Sequence, residues 1–122
     1  MAKTIMIVDD SASIRTVVGI ALRGAGYDVV EAIHGQDAIN KLTGQKVNLI
    51  ISDVNMPIMD GITFVRQVKT MAAYRFTPII MLTTESDENK KREGQTAGAK
   101  AWVVKPFKPE QMLVAVQRLC LP

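Results

Sequence analysis

The sequence predicts an α/β fold, namely a doubly wound five-stranded parallel sheet with five helices covering both of its faces. Its short apolar runs are continuous rather than alternating, which is typical of strands buried on both faces. Each run is followed by a segment with helical spacing of apolar residues, and this unit occurs five times in 122 residues. Because the length suits one domain and no linker or repeat is present, residues 1–122 are expected to form a single domain without an output domain.

Five segments are predicted as strands. Three of them are strongly apolar, and two are weaker and are expected in less central positions. The strong runs are Thr4–Val8, Leu49–Ser52 and Pro78–Leu82, and the weak runs are Asp28–Glu31 and Ala101–Val104.

The intervening segments carry apolar residues at helical spacing. The first stripe is Ile14, Val17, Val18, Ala21, Leu22 and Ala25, and Gly26 after it suits the left-handed residue that often follows a helix. Shorter stripes are Ala38, Ile39 and Leu42, then Phe64, Val65 and Val68, and finally Met112, Leu113, Val116 and Leu119. Residues 86–99 are polar nearly all round and contain Gly94, which predicts a marginal helix.

Composition limits the classes of partner and compartment. Fifteen basic and 12 acidic residues leave a charge of +3, which is too small to favour nucleic acid or a membrane surface. The single cysteine, Cys120, excludes a disulfide within the chain and is expected to be a small apolar residue of the last helix. Without a secretory signal or a bilayer-length apolar run, the chain is expected to be cytoplasmic. It is also expected to be a monomer.

Polar side chains collect where the predicted strands end, and the carboxyl ends of parallel strands meet at one edge, where sites form. They are Asp9 and Asp10 after the first strand, Asp53 and Asn55 after the third, Thr83 after the fourth and Lys105 after the fifth. Two carboxylates about 4 Å apart repel by roughly 4 kcal/mol at an effective dielectric near 20. A hard divalent cation removes this cost, and magnesium prefers oxygen ligands with few carboxylates. The edge is therefore predicted to hold Mg²⁺.

Each of these residues has an ordinary structural explanation when it is taken alone. Asp10 could cap the helix that follows, Thr83 could be a strand-end hydroxyl, and Lys105 could be a solvated lysine. The ordinary explanations do not account for all of these residues lying at the same edge of the sheet, which favours a functional site.

Four motifs occur in a characteristic order, "IVDDS", "LIISDVNMPIMDG", "PIIMLTT" and "VVKPF". In these motifs the chain resembles a CheY-like receiver domain of two-component response regulators, and the resemblance covers essentially the whole chain. It implies a flavodoxin-like sheet with strand order 2-1-3-4-5. It also implies a protein that accepts a phosphoryl group from a histidine kinase and binds a downstream protein target on the face of helix 4, strand 5 and helix 5.

The resemblance assigns a role to each matching residue. Asp53 resembles the phosphoacceptor, and Lys105 resembles the lysine that pairs with the phosphoryl oxygens and precedes a cis proline. Asp10, Asp53 and the backbone carbonyl of Asn55 resemble the metal ligands, and Asp9 resembles the acid that orients metal-bound water. Thr83 resembles the hydroxyl that bonds the phosphoryl group.

Two positions depart from the family pattern. Trp102 stands where the family usually has a Tyr or Phe that turns inward on activation, so Thr83 and Trp102 are the expected switch pair. The larger indole carries an N–H that needs a partner, and a plain edge-strand aromatic is the alternative. Thr84 stands where Ala or Gly is usual, and its bulk could narrow access to the phosphoryl group.

The leading interpretation is a stand-alone, chemotaxis-type response regulator that promotes its own phosphorylation and dephosphorylation and is not an enzyme in the usual sense. A phosphatase of the haloacid dehalogenase type is the alternative, but it needs a second aspartate where this chain has Asn55. An FMN carrier is disfavoured because Asp9 and Asp10 would repel the cofactor phosphate.

Overall fold

The sheet has five parallel strands in the order β2-β1-β3-β4-β5. This computed structural model describes residues 3–83 and 88–120. The strands are β1 (Thr4–Val8), β2 (Asp28–Ala32), β3 (Leu49–Asp53), β4 (Ile79–Thr83) and β5 (Ala101–Val104). The predicted fold class and strand order are both confirmed.

Helices cover both faces of the sheet. They are α1 (Ala12–Gly24), α2 (Gly35–Leu42), α3 (Gly61–Thr70), α4 (Glu88–Ala97) and α5 (Pro109–Leu119). Side chains of α1 and α5 share one buried cluster, whereas α2 and α3 contribute to a second cluster on the opposite face. Within the described residues, none of these helices has both the length and the apolar character needed to cross a bilayer.

The continuous apolar strands are explained by this double cover. In β1, Ile5 and Ile7 belong to the cluster under α1 and α5, whereas Met6 and Val8 belong to the cluster under α2 and α3. Successive side chains of a strand point to opposite faces, so a strand covered on both sides must be apolar at every position.

Strand boundaries differ from the predictions by one residue, and the difference bears on the site. β3 includes Asp53, which pairs with Leu82, and β4 runs one residue further than expected, to Thr83. Pro78 lies before β4, and its carbonyl accepts a hydrogen bond from the backbone N–H of Ile50 (3.0 Å). Asp53 and Thr83 are therefore the last residues of central strands and not the first residues of loops.

The predicted buried stripe of α1 is too wide. Val18 and Leu22 are buried, but Val17 is 48% exposed and Ala25 lies beyond the helix end as an exposed C-cap. Only one side of α1 meets the sheet and α5, so residues at the margin of the stripe face solvent. Gly26 has a φ of +97°, as its position after the helix predicts.

Gly61 begins α3 in close contact with the end of β3. A Cβ at this position would lie 2.1 Å from the carbonyl oxygen of Asp53 and 2.9 Å from the Cα of Val54. The Gly61 N–H also donates to the carbonyl of Val54 (2.8 Å), which closes the loop that follows the strand. Only a residue without a side chain fits here, because the atoms in the way belong to the backbone.

We expect Gly61→Ala to lower the free energy of unfolding by about 1–3 kcal/mol, the usual cost of overpacking. Gly24→Ala is the matched control. A Cβ at Gly24 meets nothing within 4 Å, so that change should leave stability unchanged or raise it by up to about 1 kcal/mol. Urea unfolding of both variants checks this, and equal midpoints would show that the close approach at Gly61 is not a constraint.

Candidate functional site

Asp9 lies at the centre of the acidic edge and is fully buried. Its backbone N–H donates to the carbonyl of Ala32 (3.1 Å), which extends the pairing of β1 with β2 by one residue. Its Oδ1 accepts a hydrogen bond from the backbone N–H of Ser11 (2.9 Å), the pattern of an Asx turn. These contacts hold the carboxylate at the end of the strand.

Asp53 is brought beside Asp9 by the pairing of β1 with β3. It is 6% exposed, and Lys105, which follows β5, reaches both carboxylates. The Lys105 Nζ lies 3.1 Å from Oδ2 of Asp9 and 3.4 Å from Oδ1 of Asp53. The lysine side chain is only 14% exposed, so the alternative of a solvated surface lysine is wrong.

Burial raises the pKa of Asp53, and the nearby carboxylate of Asp9 raises it further. The ammonium of Lys105 and a hydrogen bond from the backbone N–H of Asn55 oppose this shift in the pKa. The pKa of Asp53 is raised overall, so the charge of one lysine does not fully offset the burial of two neighbouring carboxylates.

Asp10 completes the cluster from the exposed side. One carboxylate oxygen from each of Asp9, Asp10 and Asp53 lies within 4.8 Å of the others. The alternative role of Asp10 as a helix cap is wrong, since the N-cap of α1 is Ser11, whose Oγ accepts from the N–H of Ile14 (3.3 Å). Three clustered carboxylates are the hard oxygen donors that Mg²⁺ prefers, so the residues present fit the predicted cation.

The other predicted site residues lie around this cluster. Asn55 is exposed in the loop after β3, two residues beyond Asp53. Thr83 is 2% exposed at the end of β4, next to Leu82, the register partner of Asp53. The Lys105–Pro106 peptide is cis, as the resemblance implied. The individual roles given to these residues remain predictions. Thr84, which could narrow access to the phosphoryl group, lies outside the described residues.

Trp102 lies half-buried on the edge strand β5, with its ring against α4. A Cβ at Gly94 would lie 2.5 Å from Cζ3 of this ring. Glycine lowers the stability of a helix, which is why Gly94 predicts a marginal α4. The structure shows a second effect: the absence of a side chain at Gly94 leaves room for the ring of Trp102. The indole Nε1 is buried and makes no hydrogen bond within the described part of the chain, so the partner expected for it is not found there.

The loop from Val54 to Asp60 is held at both ends and strained at its tip. Asp60 caps α3 by accepting from the N–H of Thr63 (2.8 Å). At the tip, the N–H of Met59 donates to the carbonyl of Pro57 (2.7 Å), which makes a γ-type turn around Ile58. Ile58 has a φ of +70° and is 79% exposed. A β-branched residue is disfavoured in this conformation, and the sequence alone carried no signal of it.

An open pocket of about 680 Å³ lies away from the acids. Its lining comes from residues 43–48 and 71–74, which precede β3 and β4 and therefore lie at the amino ends of the strands. Since its lining is mainly apolar and contains no carboxylate, the acidic edge is the better candidate for a functional site.

Comparison with known proteins establishes the family. Residues 5–117 match the family described as the response regulator receiver domain, and the chain belongs to that family. The protein PilG of Pseudomonas aeruginosa is 34% identical over 113 residues, which cover 93% of this chain and 84% of PilG. The chemotaxis protein CheY1 of Helicobacter pylori is 37% identical over 108 residues, 87% of each chain. The chain spans about half the length of several transcriptional regulators that it also matches.

Solved structures show the same fold and a metal in one relative. Vibrio cholerae chemotaxis protein CheY4 has a TM-score of 0.94 and 47% identity, covering 98% of this chain and 99% of its own. The receiver domain of the P. aeruginosa sensor histidine kinase PA1611 has a TM-score of 0.90 and 28% identity, covering 98% of both chains. That structure has a magnesium ion coordinated in its active-site cleft. Membership of the receiver family disfavours the haloacid dehalogenase alternative.

We expect Ile58→Asn to raise the free energy of unfolding by about 1 kcal/mol, because asparagine tolerates a positive φ that strains isoleucine. Ile20→Asn is the matched control, since Ile20 is 65% exposed but lies within the regular helix α1. That change should leave stability unchanged or lower it slightly. Thermal and urea unfolding measure both variants, and a gain at Ile58 no larger than at Ile20 would contradict the strain.

Proposed function

We propose that this protein is a phosphoacceptor of a two-component relay, in which Asp53 receives a phosphoryl group from a phosphohistidine of a histidine kinase. The observation that carries the proposal is the position of Asp53 at the end of a central strand, clustered with Asp9 and Asp10. The contact of Lys105 with both buried carboxylates supports it. Membership of the receiver family supports the same class of chemistry.

In the proposed step, a carboxylate oxygen of Asp53 forms a bond to phosphorus while the bond between phosphorus and the donor's imidazole nitrogen breaks. The electron pair of that bond returns to the imidazole nitrogen. Lys105 is proposed to pair with a phosphoryl oxygen after transfer, and its distance of 3.4 Å from Oδ1 of Asp53 supports this. The hydroxyl of Thr83 is proposed to donate a hydrogen bond to another phosphoryl oxygen.

Asp10, Asp53 and the backbone carbonyl of Asn55 would hold Mg²⁺, and Asp9 would orient its bound water. When bound, the cation supplies positive charge that lets an anionic phosphoryl group approach the carboxylates. The clustered carboxylate oxygens of this chain support that assignment. Water later removes the phosphoryl group, so the protein resets itself without being an enzyme in the usual sense.

The proposed output is binding to a downstream protein on the face formed by α4, β5 and α5. Both β5 and α5 carry an exposed apolar side chain, Val104 at 41% and Val114 at 49% respectively. A chemotaxis-type, cytoplasmic and monomeric regulator is proposed because relatives matched over most of their length include chemotaxis proteins. The proposed partners are proteins, and neither nucleic acid nor a membrane is proposed.

We expect Mg²⁺ and phosphoramidate, a small phosphodonor, to add one phosphoryl group to the protein, located on Asp53. The reason is that Asp53 contacts Lys105 and keeps some exposed surface, at 6%. Asp9 is fully buried with its Oδ1 held by the N–H of Ser11, and Asp10 is exposed on the outer side of the cluster. Intact-protein mass spectrometry measures the added mass.

Two variants make this assignment decisive. Asp53→Asn should abolish the labelling, whereas Asp60→Asn, a change of the same chemistry at the far end of the loop that follows Asp53, should leave it intact. Asparagine also caps helices well, so the control keeps the start of α3. Labelling of Asp53→Asn at the rate of the unmodified protein would show that another residue is the acceptor.

We also expect phosphorylation to change the environment of Trp102, the only tryptophan of the chain. A phosphoryl group adds roughly −1.5 to −2 charges at Asp53, and a charge-assisted hydrogen bond would draw Thr83 toward it. Thr83 pairs with Val104, two residues beyond Trp102. Movement of Thr83 should therefore alter the packing of the ring between β5 and α4.

Beryllofluoride with Mg²⁺ mimics the phosphoryl group, and the emission of Trp102 or its quenching by iodide reports the change. The response should vanish in Asp53→Ala and shrink in Thr83→Ala. A full response in Thr83→Ala would show that Thr83 does not couple the site to the ring.

A further inference from the structure

The peptide that joins Asp9 to Asp10 is held by a side chain outside the acidic cluster. Arg15, in the first part of α1, donates a hydrogen bond from Nη1 to the backbone carbonyl of Asp9 (2.7 Å). Its Nε donates to Oε1 of Glu31 on β2 (3.2 Å). The arginine side chain is 17% exposed. One guanidinium therefore ties the carboxyl end of β1 to the neighbouring strand.

This contact determines where Asp10 lies. The backbone N–H of Asp9 is held by Ala32 and its carboxylate by Ser11, so the Arg15 contact fixes the remaining polar group of the residue, its carbonyl. Because a peptide unit is planar, fixing the carbonyl oxygen of Asp9 also fixes the direction in which the chain enters Asp10.

Asp10 has little else to orient it. Its side chain is exposed and makes no hydrogen bond or ion pair within the part of the chain that the structure describes. Its carboxylate nevertheless lies within 4.8 Å of those of Asp9 and Asp53. The third carboxylate is therefore positioned through its backbone, which Arg15 holds at the Asp9 carbonyl and Asp9 Oδ1 holds at the Ser11 N–H.

We propose that Arg15 is a positioning residue for the divalent-cation site, and this inference rests on the cation site of the proposed function. It acts through the backbone of Asp9 and makes no contact with the cation. Its anchor is Glu31, which also lies 3.6 Å from Nη2 of Arg23. The planar fork of arginine can bond the carbonyl and the carboxylate from different nitrogens, and the single ammonium of lysine cannot reproduce that geometry.

Whether removal of Arg15 weakens or tightens Mg²⁺ binding distinguishes a positioning role from an effect of its charge. Arg15 is a cation within hydrogen-bond reach of Asp9, and a nearby positive charge opposes the binding of Mg²⁺. If the charge alone mattered, removing it would tighten Mg²⁺ binding. If Arg15 positions the acids, removing it weakens binding, and loss of an outer contact of this kind typically costs about 10–100-fold in metal affinity.

The test is isothermal titration calorimetry, which measures the dissociation constant for Mg²⁺ when the full chain is titrated with MgCl₂. The ionic strength is held fixed and no phosphodonor is present. Arg15→Gln should raise the dissociation constant for Mg²⁺ by about tenfold. Arg23→Gln is the matched control, because Arg23 lies in the same helix and contacts the same glutamate but does not contact Asp9. Its dissociation constant for Mg²⁺ should stay within about twofold of that of the unmodified protein. Arg15→Lys keeps the charge and loses the fork, so it should weaken binding, though less than Arg15→Gln.

Far-UV circular dichroism establishes that each variant is folded at the temperature of the titration, and Arg15→Lys serves as the test variant if Arg15→Gln is not. Unchanged or tighter binding in the folded Arg15 variants would overturn the positioning role while leaving the cation site in place. Absence of Mg²⁺ binding in the unmodified protein would overturn the cation site itself and the positioning role with it. Labelling of Asp53 tests the phosphoacceptor role separately.

Discussion

The repulsion among three carboxylates at one edge of the sheet is the constraint on which the rest of the site depends. Asp9 and Asp53 are almost wholly buried, Asp10 lies beside them, and one ammonium, that of Lys105, contacts the two buried acids. Two unit charges about 4 Å apart repel by roughly 4 kcal/mol even at an effective dielectric near 20. Burial raises the pKa of Asp53, and the neighbouring carboxylate of Asp9 raises it further. A cluster of this kind is costly to keep empty and well suited to a cation and a phosphoryl group.

The fold supplies the cluster through the geometry of a parallel sheet. Strands covered by helices on both faces end together at one edge, so residues distant in sequence, such as Asp9 and Lys105, meet there. Several local contacts then fix the acids in place. Ser11 holds the carboxylate of Asp9, Gly61 allows α3 to start directly against the backbone of Asp53, and Arg15 holds the carbonyl that leads into Asp10. The geometry of the acidic cluster depends on these contacts.

The sequence predicted most of the fold and the clustering of the acids with Lys105, because both follow from patterns of single residues. Continuous apolar strands require cover on both faces, and polar residues at strand ends must converge. The sequence did not predict features that depend on a specific tertiary contact. The packing of Trp102 on Gly94, the positive φ of Ile58 and the bond from Arg15 to Asp9 each involve geometry that no periodicity records. Val17 was predicted to be buried but is exposed, because the width of the buried stripe depends on how the helix packs against the sheet.

The most direct test of this account is the free energy of unfolding measured against the concentration of MgCl₂ at neutral pH and constant ionic strength. Without Mg²⁺, Asp53→Asn should be more stable than the unmodified protein, because it removes a buried charge whose pKa is raised in the folded state. Mg²⁺ should stabilise the unmodified protein by about 1.4 kcal/mol for each tenfold rise in concentration above its dissociation constant, and should stabilise Asp53→Asn much less. A stability that does not change with Mg²⁺, together with an Asp53→Asn variant that is less stable without it, would contradict the claim that the three carboxylates form an uncompensated cation site.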